Sequence, residues 1–449
     1  MHMTLPLTNK LKNILNRNSI SMHVPGHKNM TIGYLEQLNF KMDMTEITEL
    51  DDLHHPEEVI AESMEGIEKH PDYDAYYLVN GTTSGILSVV QGFSGQHGHY
   101  SIVRNAHKSV FHALDLTSEQ CQLLEMTMSK KTNQYLGPNL DTLLSQIEQT
   151  KLAILTYPNY YGECFDVSIA IKDLKEHNIP VLIDEAHGAH FDLEGFPNST
   201  LNMGADYVVQ SYHKSLPSLT MSSIIFIHKN APRREKVIKY LSYFQSSSPS
   251  YLLMMSLELA HQFYKDYNSK LFFKKRDQLI QALKEIGAEV VKVEDPLKLN
   301  IRCNGYTGFE LQKYFETKDI YVELADEHQV LFVLPLWHKG DTYPFDLLIE
   351  RIRQIELEER DTQTPDQSAF RTEEGTYQAG DIVDTKSIDI SHAGSKVLAT
   401  NIVPYPPGIP VMFKGEKITE NMIELMNYWY DNNIRVEGIK NYKIEIKDE

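Results

Sequence analysis

The stretch Gln210-Ser211-Tyr212-His213-Lys214-Ser215-Leu216 decides how this chain is read. It follows Tyr207-Val208-Val209, a short apolar run with the aromatic and β-branched content of a strand. It also sets a lysine among hydroxyls and an imidazole. Taken alone, Lys214 is either a solvated loop lysine, the commoner fate of that residue type, or an amine placed to form a Schiff base. The other strand ends separate the two.

Working outward, five more short apolar runs predict strands: Tyr76-Tyr77-Leu78-Val79, Tyr100-Ser101-Ile102-Val103, Leu152-Ala153-Ile154-Leu155, Val181-Leu182-Ile183 and Ser223-Ile224-Ile225-Phe226-Ile227. Helical stretches lie between several of them, notably Ile169 to His177. This alternation predicts an α/β fold with a mainly parallel sheet covered by helices on both faces. In such sheets ligands bind outside the carboxyl ends of the strands. Those ends carry Gly81-Thr82-Thr83-Ser84-Gly85, Arg104-Asn105-Ala106-His107-Lys108, Thr156 to Gly162, Asp184-Glu185-Ala186-His187 and the Lys214 stretch. The first is strand, then glycine and hydroxyls, then helix, which makes either an anion site or a plainly capped helix. Asp184, likewise, is either a cap or a functional carboxylate. Their joint occurrence at one sheet edge favours a single site. An amine, a carboxylate, an imidazole and an anion cradle together suit pyridoxal phosphate, which needs a lysine anchor, a partner for its ring nitrogen and donors for its phosphate.

The 449 residues allow two or three domains. Residues 1–60 read as an irregular N-terminal arm, 61–286 as the large domain and 287–449 as a smaller C-terminal α+β domain, with 356–384 as a candidate linker. Pro56 is expected to start a helix, and Leu252 to Ile286 reads as a helical stretch. In the smaller domain, strands are expected at 289–293 and 330–334 around a helix near Gly308 to Thr317. A net charge of −19 excludes nucleic acid as the main partner. Three scattered cysteines give neither a disulfide framework nor a metal ribbon, so a reducing cytoplasm and no metal are expected. No run approaches the roughly 18 apolar residues of a membrane span.

Eight stretches, in order, resemble the Orn/Lys/Arg decarboxylases, pyridoxal-phosphate-dependent enzymes of fold type I with the aspartate aminotransferase-like architecture. They are His23-Val-Pro-Gly-His-Lys28, Leu50-Asp-Asp-Leu-His-His-Pro-Glu57, Val79-Asn-Gly-Thr-Thr-Ser-Gly85, Asn105-Ala-His-Lys-Ser109, Asp184-Glu-Ala-His-Gly-Ala-His190, Gln210-Ser-Tyr-His-Lys214, Gln245-Ser-Ser-Ser-Pro-Ser-Tyr251 and Tyr405-Pro-Pro-Gly-Ile-Pro410. The resemblance is to the shorter bacterial type without an N-terminal wing domain.

It implies that Lys214 anchors the cofactor, Asp184 pairs with the ring nitrogen and His107 stacks on the ring. Gly81, Thr82, Thr83, Ser211 and His213 would hold the phosphate, and Ala186 and His187 would line the ring and its phenolic oxygen. The implied reaction removes the α-carboxyl group of arginine, lysine or ornithine, with Lys214 or His107 returning a proton to Cα. The arm around His27 and Lys28 would lie near the site of a homodimer or dimer of dimers. Glu323 and Asp326 are candidates for the substrate's distal cation, or else solvated carboxylates. Four positions depart from the family: Tyr212 where threonine is usual, Ile86 where asparagine often stands, and Glu58-Val59 where Gly-Ala is common. Another fold-type-I reaction, transamination or elimination, and a non-catalytic cofactor-binding role are the competing readings. An aminotransferase would need an arginine for the α-carboxylate, for which Arg302 and Arg351 are positional candidates.

Overall fold

The computed structural model describes residues 5–358, 360, 375–404, 408–432 and 434–448. Each of the six apolar runs is a strand, and with Cys121–Leu124 they form one seven-stranded sheet. In chain order the strands are β1 (Tyr73–Leu78), β2 (His99–Val103), β3 (Cys121–Leu124), β4 (Thr150–Thr156), β5 (Val181–Asp184), β6 (Tyr207–Gln210) and β7 (Ser223–His228). Across the sheet they run β1-β7-β6-β5-β4-β2-β3. Strand β7 is antiparallel to both neighbours and every other pair is parallel. The central strands are buried on both faces, which is why they read as continuous apolar runs. The edge strand β3, Cys-Gln-Leu-Leu, is half-buried and too mixed to announce itself.

Register is what makes the site. Thr156 pairs with Asp184, and Asp184 with Val209, so β4, β5 and β6 end level with one another. Helix α1 (Gly81–Phe93) starts beside them and lies close on the sheet. A Cβ on Gly85 would stand 2.9 Å from Leu78 and 3.0 Å from Val209, so this turn of α1 tolerates no side chain there. Helix α2 (Lys108–Thr117) follows β2.

Three expectations need correction. The helix placed at Pro56 spans Val59–Glu65 instead, because the Asp51 carboxylate gathers the amides of Glu57, Glu58 and Ile60 and holds Pro56 in a loop. The stretch from Leu252 to Ile286 is two helices, α3 (Tyr251–Asp266) and α4 (Lys270–Glu285). The first 60 residues carry a helix, Pro6–Leu15, and a strand, Ile20–Met22, that pairs in parallel with Ile320–Val322 far down the chain.

Beyond α4, strands β8 (Glu289–Val291), β9 (Lys298–Arg302), β10 (Leu324–Ala325) and β11 (Val330–Val333) form an antiparallel sheet in the order β8-β9-β11-β10. The expected helix spans Gly308–Thr317. A separate apolar core, around Ile390, Leu398, Met426 and Ile444, is built from helix α5 (Glu420–Asp431) and the pairing of Thr385–Asp389 with Lys443–Lys447. Residues 359 and 361–374 of the stretch expected to be a linker lie outside the described residues, as do Tyr405 to Pro407. Among the described residues no helix is long and apolar enough to cross a membrane.

Candidate active site

Lys214 sits in the short helical turn Tyr212–Ser215 that follows β6, and its Nζ lies 3.2 Å from His187 Nε2. Burial lowers its pKa from the ordinary lysine value, against the pull of Asp184 and Glu323. Lys298, on β9, has its Nζ 3.0 Å from His187 Nδ1. The ring thus has a lysine amine at each of its two nitrogens, and a neutral imidazole offers one donor and one acceptor to the pair. That neutral state is the stable one: burial, with Lys214 and Lys298 alongside, holds His187 well below its usual pKa. Burial also lowers Lys298, to about 8. Gly162 makes room for this lysine, since a Cβ there would meet Lys298 Cγ at 2.6 Å and its φ of +91° suits glycine alone.

Asp184, at the end of β5, is 5 % exposed and among the described residues receives one hydrogen bond, from the Ala186 amide at 3.2 Å. Burial pushes its carboxyl up, while Lys214 and that amide pull it down. Beside it in register, the buried Thr156 hydroxyl has no partner among the described residues. His107 is the N-cap of α2, and its Nδ1 accepts from the Ser109 amide (3.3 Å) and lies 2.9 Å from the Ser109 hydroxyl. Burial, then Lys214, lower it to about 3. A ring this hard to protonate fits a stacking partner better than a proton donor.

The residues expected to hold an anion come together. Gly81 takes a left-handed φ of +73° and opens α1, so Thr82 and Thr83 fall in the first turn, where backbone N–H groups have no intrahelical acceptor. Thr82 Oγ1 is 3.2 Å from Ser211 Oγ, which joins the helix start to the Lys214 turn. His213 Nδ1 lies 3.0 Å from the Ser222 carbonyl, and burial lowers this ring to about 4. The arm docks here too. The Gly26 amide donates to the His213 carbonyl at 2.7 Å. Lys28 is 1 % exposed, donates to the Val333 carbonyl at 2.9 Å and to the His23 carbonyl, and is lowered by burial to about 7.

Glu323 is brought to the cluster and Asp326 is not. Glu323 accepts from the Tyr160 hydroxyl and from the Val24 amide at 2.8 Å. Burial raises its pKa, but Lys298 and those donors outweigh it and leave the carboxyl below its usual value. Asp326 caps its own turn, taking the amides of His328 and Gln329 at 2.8 Å and the side-chain amide of Gln134 at 2.9 Å. Arg302 is bonded to Gln329 and Arg351 to the Asn18 carbonyl, so neither serves the Lys214 cluster. Tyr212, two residues before Lys214 on a helical turn, points the other way. It is fully buried and stacks on His261, with its hydroxyl 3.3 Å from His261 Nδ1. The departure from the family's threonine therefore faces the core.

Sequence reading missed Lys298 and Tyr160. Tyr160 lay in a loop already singled out, and its ring centroid is 4.4 Å from that of His187. Nothing in the run Lys-Leu-Asn-Ile marked Lys298, whose role comes from a strand packed against the large sheet.

The donor set fits pyridoxal phosphate. A buried carboxylate has one amide and spare capacity, an amine stands nearby, and a helix start with hydroxyls forms the cradle. A sheet of this order with these groups at its carboxyl edge defines a pyridoxal-phosphate-dependent enzyme of fold type I. The chain belongs to the Orn/Lys/Arg decarboxylase family. Residues 5–292 match the family's major domain and residues 361–439 its C-terminal domain. The chain is 37 % identical to the uncharacterized protein YaaO of Bacillus subtilis, covering 99 % of this chain and 98 % of that one. It is 28 % identical to the arginine decarboxylase of the same organism, covering 96 % and 95 %. The lysine decarboxylase LdcF of Francisella novicida shares the fold, with a TM-score of 0.71 at 18 % identity over 92 % of this chain and 74 % of that one.

Proposed function

We propose that this chain decarboxylates a basic amino acid, arginine, lysine or ornithine, and releases the corresponding amine and carbon dioxide. The observation that carries the reading is the Lys214 amine 3.2 Å from His187 Nε2, beside a buried Asp184 with unused hydrogen-bonding capacity. Pyridoxal phosphate, when bound, supplies an electron sink for the bond between Cα and the carboxylate. Asp184 would hold the proton of its ring nitrogen by a charge-assisted hydrogen bond. Thr82, Thr83, Ser211, His213 and the start of α1 would take its phosphate, His107 would stack on the ring, and Ala186 and His187 would line its edge. Lys214 anchors it and is the better donor of a proton to Cα, since His107 stays neutral at working pH. Arg302 and Arg351 are engaged elsewhere, which removes the carboxylate clamp that a transaminase would draw from them. The same reading carries a homodimer or dimer of dimers working in the cytoplasm.

The test is release of carbon dioxide from carboxyl-labelled arginine, lysine and ornithine, with the amine identified. Lys214→Ala should lower the rate by at least about 10²–10⁴-fold. No release from any of the three, or release undiminished in Lys214→Ala, overturns the reading.

A further inference from the structure

A cavity opens where the large sheet, the β10–β11 region and the C-terminal segment meet. It adjoins the Lys214 cluster through two residues. Asn105 stands two positions before His107, and Tyr160 touches the His187 ring and bonds Glu323. The formal charges on its described wall are two carboxylates, Asp326 and Glu327, with no lysine, arginine or histidine. Tyr135, Tyr161, Phe309 and Trp429 supply aromatic surface.

Two acceptors there are unfilled. Asn105 is 5 % exposed, and its side-chain oxygen has no donor among the described residues. Glu327, 7 % exposed, accepts only the Trp429 indole N–H, at 3.0 Å on Oε1, which leaves Oε2 without a donor among the described residues. Asp326 beside it is filled by backbone and glutamine amides. A buried wall of unfilled acceptors, carboxylate charge and aromatic faces is complementary to an organic cation, whose N–H groups satisfy the acceptors and whose charge is attracted to the rings. An anion would meet no counter-charge.

We propose that this cavity is the subsite for the cationic end of the substrate's side chain, with Glu327 as counter-charge and Asn105 as a second acceptor. The proposal rests on the decarboxylase reading for the identity of the substrate. It moves distal recognition from Glu323 and Asp326 to Glu327. It also gives the C-terminal segment a task, because Trp429 on α5 fixes the Glu327 carboxylate.

The test is calorimetric titration of the cofactor-loaded enzyme with agmatine, cadaverine and putrescine, beside n-pentylamine, which lacks the second cation. At least one of the three should bind the wild type at least tenfold more tightly than n-pentylamine, and Glu327→Gln should weaken that binding at least tenfold, equivalent to about 1.4 kcal/mol. Glu327→Asp, which keeps the charge, should recover part of the loss. In turnover, Glu327→Gln should raise KM more than it lowers kcat. If n-pentylamine binds the wild type as tightly as every one of the doubly functional amines, or if Glu327→Gln binds them all as the wild type does, the subsite is overturned. Glu327-dependent amine binding without carbon dioxide release would instead keep the subsite and sink the decarboxylase reading.

Discussion

Asp184 and Glu185 are consecutive carboxylates at one strand end, both buried, and the chain uses them in opposite ways. Glu185 is saturated. It accepts from the Ser199 hydroxyl (2.7 Å), the Thr200 amide (2.8 Å) and hydroxyl, and the Gln210 side-chain amide (2.7 Å). Lys69 closes the network by donating to Gln210 Oε1 at 3.0 Å and to the Ala189 carbonyl. Asp184 has one amide and faces Lys214. A buried carboxylate costs free energy unless its lone pairs are filled, so a filled one is explained by the fold and an underfilled one calls for a ligand. Asp326 and Glu327 repeat the pattern, one filled and one with capacity to spare.

The comparison breaks most easily at Asp184. Asp184→Asn should lower kcat by about 10²–10³-fold, the range for removing one well-placed electrostatic partner. A kcat within tenfold of wild type would place Asp184 with Glu185 as a fold residue. Next comes Lys298→Met, which removes the amine beside His187 Nδ1. A loss of about 10- to 100-fold is expected, as for other outer-shell partners of a functional histidine. Because a neighbouring positive charge is also gone, Lys214 should hold its proton to higher pH. The alkaline limb of the pH–rate profile, where Lys214 loses the proton it donates, should then move upward, a shift that a purely structural lysine would not produce.

The smallest effect on rate belongs to Glu185→Gln. It should leave kcat within about tenfold but cost roughly 1–3 kcal/mol of stability, since an amide turns a donor toward the hydroxyls that Glu185 now accepts from. Burial pushes the Glu185 carboxyl up to about 7 from 4.5. Between those values the native state binds more proton than the unfolded one, so this group makes stability fall as pH rises through that window. The fall should be shallower in Glu185→Gln, measured by denaturant titration at several pH values. An unchanged slope would assign the pH dependence to other groups.

The readable part of this site was the part carried by single strand ends. His107, Asp184, His187, Ser211 and Lys214 each follow an apolar run, and chain order alone puts such positions at one sheet edge. The unreadable part came from packing between distant segments. Lys298 reaches His187 across 111 residues of chain, and Val24 reaches Glu323 across 299. Tyr212 shows the reverse failure: next to a functional pair in sequence, it points into the core against His261.

The sequence by itself determined the layered α/β class and the family, and it marked Lys214 and the Gly81 to Gly85 stretch as candidates, because strand periodicity and contiguous motifs are local properties of a chain. Only the tertiary structure decided which carboxylates are filled, which amines flank His187 and which acid faces the cavity beside the site. Several of those depend on hydrogen-bond partners more than 100 residues apart, and saturation of a buried group is decided by everything packed around it.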